Sequence, residues 1–198
     1  MATIDPDSPP KPCECFDMIN GTGAGDLVAI MLGRLRLTVE ECIAAYTSLP
    51  RSAFNTAAPE QATKEIVANQ GYDEDALLPN YTSTDCKVFV CTTSKEAGRA
   101  VCLTSYRSLG GVPHLFDSTK RWQACRATTT HTIFFDPIAI GLFQGQFVGD
   151  AVRANLPVKA LWSQAQDFLG DDRLQRNLRC VVSIETGAYA MEPVRDDA

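Results

Sequence analysis

Gly21-Thr22-Gly23-Ala24-Gly25 constrains this chain more than any other stretch. Before it stands Cys15-Phe16-Asp17-Met18-Ile19-Asn20, and after it Asp26-Leu27-Val28-Ala29-Ile30-Met31-Leu32-Gly33. The pattern reads as a short apolar strand, a sharp glycine turn and a helix from about Asp26 to Arg34 that is apolar on nearly every side and therefore buried. A strand entering a helix through such a turn places either a phosphate or a nucleophile in α/β proteins.

A phosphate cradle of the G-x-G-x-x-G kind fails on spacing. Its third glycine would fall at Asp26, a carboxylate where the pyrophosphate belongs. No acidic residue closes a second strand about twenty positions later, since Glu40 and Glu41 open a helix. The alternative is a nucleophile elbow, G-x-S-x-G, with Gly23 where serine would stand. Gly21 and Gly25 would then permit the strained turn and a close approach of helix to strand.

The rest of the chain predicts one α/β domain. Thr38-Val39-Glu40-Glu41 is a capping box for a helix burying Val39, Cys42, Ile43 and Tyr46. A helix over 60–69 ends before Gly71, and a polar, solvated connection fills 72–85. Lys87–Thr92 and Arg99–Tyr106 read as strands around a tight turn at 95–98. Asp117 or Ser118 caps a helix burying Trp122 and Cys125. Ile133-Phe134-Phe135 and Pro137–Ile140 are short strand-like segments, and Phe147-Val148 leads into Gly149-Asp150-Ala151. Asn155 caps a helix with Trp162, Ala165 and Leu169 on one face, and Arg179–Ile184 reads as a last buried strand. Residues 1–12, rich in proline, form a flexible tail, 13–190 the domain and 191–198 a second tail.

Composition excludes several function classes. A net charge of −6 does not suit a nucleic-acid binder, and Arg34, Arg36, Lys120, Arg121 and Arg126 read as exposed helix charges. Eight scattered cysteines without a secretory leader suggest reduced, mostly buried thiols in a cytoplasmic protein. Only Cys13 and Cys15 are close in sequence, so no metal or other cofactor is expected. The apolar run Leu27–Leu32 is too short to cross a bilayer.

The segment Phe16 to Gly25 with Leu27 to Leu35 resembles the nucleophile region of fungal patatin-like phospholipases, where the turn is of the G-T-S-T-G type. The resemblance continues through Thr38–Ile43, Cys86–Cys91, Trp122–Thr128, Phe134–Pro137 and Ser183–Gly187. It implies a three-layer sandwich with a mostly parallel central sheet. It also implies a serine–aspartate dyad acting on lipid acyl esters, with a glycine-rich loop supplying oxyanion donors.

Each functional part departs from that pattern. Gly23 takes the nucleophile position within the elbow of Gly21, Thr22, Ala24 and Gly25. The dyad aspartate, normally directly after the F-V pair, is displaced by one residue to Asp150. The matching stretch begins near the start of the chain, so the first strand and the oxyanion loop are expected to be missing. Thr22, Ser94, Ser118 and Ser183 are poor substitutes as nucleophiles, and His131 reads as a polar loop residue, with a place in the lining of the old cleft as the alternative.

The expectation is a patatin-like acyl hydrolase that has lost catalysis. What remains would bind a lipid in a vestigial cleft, or a second copy or complementing chain at an exposed sheet edge. An active hydrolase and a gene fragment without independent function are the alternatives.

Overall fold

A computed structural model of the chain describes residues 9–49, 58–79, 86–129, 137–149 and 157–184. Pro12–Cys15 forms a short helix (α1), followed by strand β1 (Met18–Asn20) and helix α2 (Ala24–Gly33). Cys15 thus belongs to a helix rather than to the strand. Next come α3 (Val39–Ser48), α4 (Ala58–Asn69), β2 (Lys87–Ser94) and β3 (Arg99–Thr104). The chain continues through α5 (Pro113–Ser118), α6 (Arg121–Thr129), β4 (Ile138–Ile140), β5 (Gly145–Gly149), α7 (Pro157–Leu169) and α8 (Asp171–Asn177).

The expected α/β architecture is present, as one five-stranded sheet between helices. Its pairing is mixed. Only β1 lies parallel to β2, while β3 and β5 run antiparallel to β2 and β4 antiparallel to β5. The cause is local, because β2–β3 and β4–β5 are joined by tight turns that reverse the chain. Gly98, at φ +60, closes the first of these by donating its N–H to the Ser94 carbonyl.

Side chains of β2 alternate between two layers. Val88 and Val90 enter the larger core with Leu27, Ile30, Met31 and Ala124. Phe89 and Cys91 face the other way, toward Tyr106, Ala160 and Leu161. Gly33 makes the first layer thin. A Cβ there would lie 2.3 Å from Val88 Cγ2, so α2 can settle on β2 only at a glycine.

Several expectations need correction. The capping box of α3 is present: Glu41 N–H donates to Thr38 Oγ1 and Thr38 N–H to Glu41 Oε2. Yet α3 buries only Cys42, while Val39 and Ile43 are 49% and 58% exposed, because one narrow stripe of this helix meets the core. Trp122 and Cys125 are buried as expected. Their helix, however, starts at Arg121 and not at Asp117 or Ser118, which end the separate helix α5.

Two arginines read as exposed are buried. Arg34 Nε donates to the Leu78 carbonyl at 2.8 Å, and Arg121 Nε to the Leu77 carbonyl at 3.1 Å. They pin the connection before β2 to the core, so Leu78 is fully buried where a solvated loop was expected. On α7 the sheet-facing positions are Ala160, Leu161, Gln164 and Phe168, one step from the expected stripe. Trp162 and Leu169 keep 38% and 36% of their surface exposed.

The last correction concerns Arg179–Ile184. Its described residues pair with no strand, and Ile184 is 90% exposed. Among the described residues no helix is long and apolar enough to cross a membrane. The expected features at residues 1–8, Ile133–Phe135, Asp136, Asn155 and 191–198 lie outside the described residues.

Candidate active site

The elbow forms where β1 stops and α2 starts. Gly23 is the N-cap of α2 and holds φ 57 and ψ −119, a conformation that side-chain-bearing residues adopt only under strain. The turn is closed by Gly25 N–H donating to the Thr22 carbonyl at 2.9 Å and Asp26 N–H to the Gly23 carbonyl at 3.1 Å. The geometry of a strained strand-to-helix elbow is therefore present at the position where the nucleophile would stand. Glycine there supplies the backbone shape and no reactive atom.

The flanking glycines differ from each other. A Cβ on Gly21 would lie 2.1 Å from the Gly25 carbonyl carbon and 2.6 Å from the Asp26 nitrogen, so the first turn of α2 rests directly on the end of β1. Gly25 faces open space, with nothing within 4 Å of an added Cβ. The close-packing role expected for both belongs to Gly21 and, a helix length away, to Gly33. Ala24 and Gly25 are exposed, whereas Thr22 is half-buried.

Sheet register brings the end of β5 to this elbow. On one edge of β2, Asn20 sits opposite Phe89, and Gly149 opposite Thr92. The strands point at each other along that edge, because β1 is parallel to β2 and β5 antiparallel. The two ends lie three residue steps apart along β2, roughly 10 Å at strand rise. Asp150 itself lies outside the described residues, as do His131 and Ala151. The chain nonetheless leaves β5, at the buried Gly149, beside the elbow.

The gap between the two strand ends holds Asp26, which stands at the third position of α2 and is fully buried. Desolvation is the main influence on its carboxyl and raises its pKa well above the usual carboxylate range. The backbone amides of Gly21, Cys91 and Gly23 face it and pull the other way. Neither carboxyl oxygen completes a hydrogen bond of good geometry. Burial thus disfavours ionisation of this acid. In the sequence Asp26 stands out only as an obstacle to phosphate. The available signal was that it is the single charged residue of an otherwise apolar helix.

The alternative hydroxyls are engaged elsewhere. Ser94 Oγ bonds Glu96 Oε2 at 3.1 Å beyond the far end of β2, Ser118 Oγ donates to the His114 carbonyl, and Ser183 is exposed on the unpaired segment after α8. Asn20 Nδ2 donates to the Pro157 carbonyl at 3.2 Å, tying the elbow strand to the start of α7.

Across 201 aligned positions the chain is 25% identical to calcium-independent phospholipase A2-gamma of Oryctolagus cuniculus. The chain is similar to a phospholipase. The alignment covers 89% of this chain but 24% of that protein, so the chain spans about a quarter of the length of the curated relative it matches. No family model matches. The likeness supports a patatin-like phospholipase relationship at the level of the family.

Proposed function

We propose that this chain is a patatin-like lipid acyl hydrolase domain that has lost catalysis and retains a lipid-binding role. The observation that carries the reading is the conformation of Gly23, a strained elbow with no side chain to attack an ester. Removing a nucleophile from a hydrolase costs on the order of 10⁴–10⁶ in rate. The likeness to a phospholipase supports a lipid ester as the class of molecule bound.

Surface chemistry favours a lipid over a protein partner. Leu142 and Phe143, both 78% exposed, form the turn between β4 and β5, beyond the Ser94 end of β2. His114 packs edge-on against Phe143 and supports the turn from below. Two large apolar side chains held out on a braced turn suit the boundary of a lipid layer.

The reading is tested by co-sedimentation with phosphatidylcholine vesicles, followed by analysis of the recovered lipid. Saturable binding with the lipid recovered intact is expected, and binding weakened several-fold in Leu142→Ser/Phe143→Ser. Absence of binding would overturn the lipid-binding role. A second reading, an active hydrolase, draws on the approach of β5 to the elbow, and fatty acid released in proportion to bound protein would favour it.

A further inference from the structure

The geometry points to Cys91 and Cys102 as a redox site, a thiol pair that a peroxide converts into a reversible cross-strand disulfide. The inference is independent of the lipid reading. Cys91 on β2 and Cys102 on β3 are direct register partners, and their sulfurs lie 3.9 Å apart. The ladder alternates so that Val88 and Ser94 turn their backbone groups toward the β3 side, as Ser105 N–H donating to the Val88 carbonyl shows. Lys87 and Lys95 turn theirs to the opposite edge, toward Asp17 and Gln146. By this alternation 91 and 102 form a non-hydrogen-bonded pair, where Cα atoms approach to about 4.5 Å and side chains are closest. That spacing falls inside the range of about 4.4–6.8 Å that a disulfide spans, so rotation of the two side chains brings the sulfurs into bond without moving the strands.

The two thiols differ in a useful way. Cys102 is half-buried, and the hydrogen bond it shares with Cys91 lowers its pKa and favours the thiolate, although Asp167 opposes this from α7. Burial pushes the thiols of Cys42, Cys86 and Cys125 up to about 11, about 12 and about 12. Reactivity toward oxidants follows thiolate character and access.

The chemistry takes two steps. The Cys102 thiolate attacks one oxygen of hydrogen peroxide, the O–O bond breaks, and hydroxide leaves to give the sulfenic acid. The Cys91 thiol then loses its proton as its sulfur attacks the Cys102 sulfur, and the sulfenic oxygen departs as water. In total two thiols are oxidised, one peroxide is reduced, and two waters form.

The test treats the folded full chain with hydrogen peroxide and maps peptides by mass without reduction. The expected product links the peptides holding Cys91 and Cys102, lacks two hydrogens, and returns to thiols with dithiothreitol. Cys91→Ser is expected to leave Cys102 as a sulfenic acid trapped by dimedone, and Cys102→Ser to abolish the link. Should the variants not fold, the wild-type map decides alone. Oxidation of the exposed Cys15 and Cys180 while Cys91 and Cys102 remain thiols would overturn the proposal.

Discussion

Gly21→Ala is expected to destabilise the chain by at least about 3 kcal/mol, at or above the top of the usual range for overpacking. The new methyl would sit 2.1 and 2.2 Å from the carbonyl carbon and oxygen of Gly25 and 2.6 Å from the Asp26 nitrogen. All three are backbone atoms, so no side-chain rotation relieves the clash. The first turn of α2 would have to lift off β1, and α2 carries Leu27, Ile30 and Met31 in the centre of the core. Against a typical total stability of about 5–15 kcal/mol, that loss leaves little. Gly25→Ala provides the contrast. It meets open space and replaces a poor helix former, so it is expected to be neutral or to stabilise by up to about 1 kcal/mol. Urea denaturation of both variants checks the pair, and equal midpoints would show that helix and strand do not touch at Gly21.

Asp26→Asn is expected to make the protein more stable at neutral pH and to flatten its pH dependence. The folded-state pKa of Asp26 is raised, chiefly by desolvation. Below about pH 4 both folded and unfolded chains hold the proton, and the residue has no effect on the pH slope. As pH rises from there toward the raised folded value, the unfolded chain releases the proton while the folded chain keeps it. Stability therefore falls with rising pH across that window, by at most about 1.4 kcal/mol per pH unit. Asparagine has the same shape and no ionisation, so the slope should vanish. Denaturant midpoints of both proteins between about pH 4 and pH 7 make the comparison. Parallel curves would mean that Asp26 ionises in the fold as readily as in the unfolded chain.

The elbow and the α/β class were legible because glycine spacing and a short apolar strand before an apolar helix express backbone constraints directly. Gly21 could be read from its place in the motif. Gly33 could not, since its need for a missing Cβ comes from Val88, more than fifty positions away. Burial faces were less legible where tertiary contact decides them. Val39 and Ile43 have the right helical spacing, yet α3 meets the core along one stripe at Cys42. Arg179–Ile184 has strand-forming residues, but β-propensity describes fitness for a pleated, partnered surface, and here no described strand partners it. Arg34 and Arg121 looked like surface charges because their partners are backbone carbonyls at Leu78 and Leu77, which no charge pattern displays. At the site, the approach of β5 to the elbow is a matter of sheet order, invisible along the chain. Asp26 is a similar case, since its burial follows from the gap between two strand ends.

The measurement that tests the proposed loss of catalysis most directly is hydrolysis of a short-chain chromogenic ester by the pure wild-type chain, run beside Asp150→Ala. With glycine at the elbow, the rate should equal that of buffer and should not change in the variant. Turnover well above buffer that disappears in Asp150→Ala would contradict the account and make the chain an active acyl hydrolase.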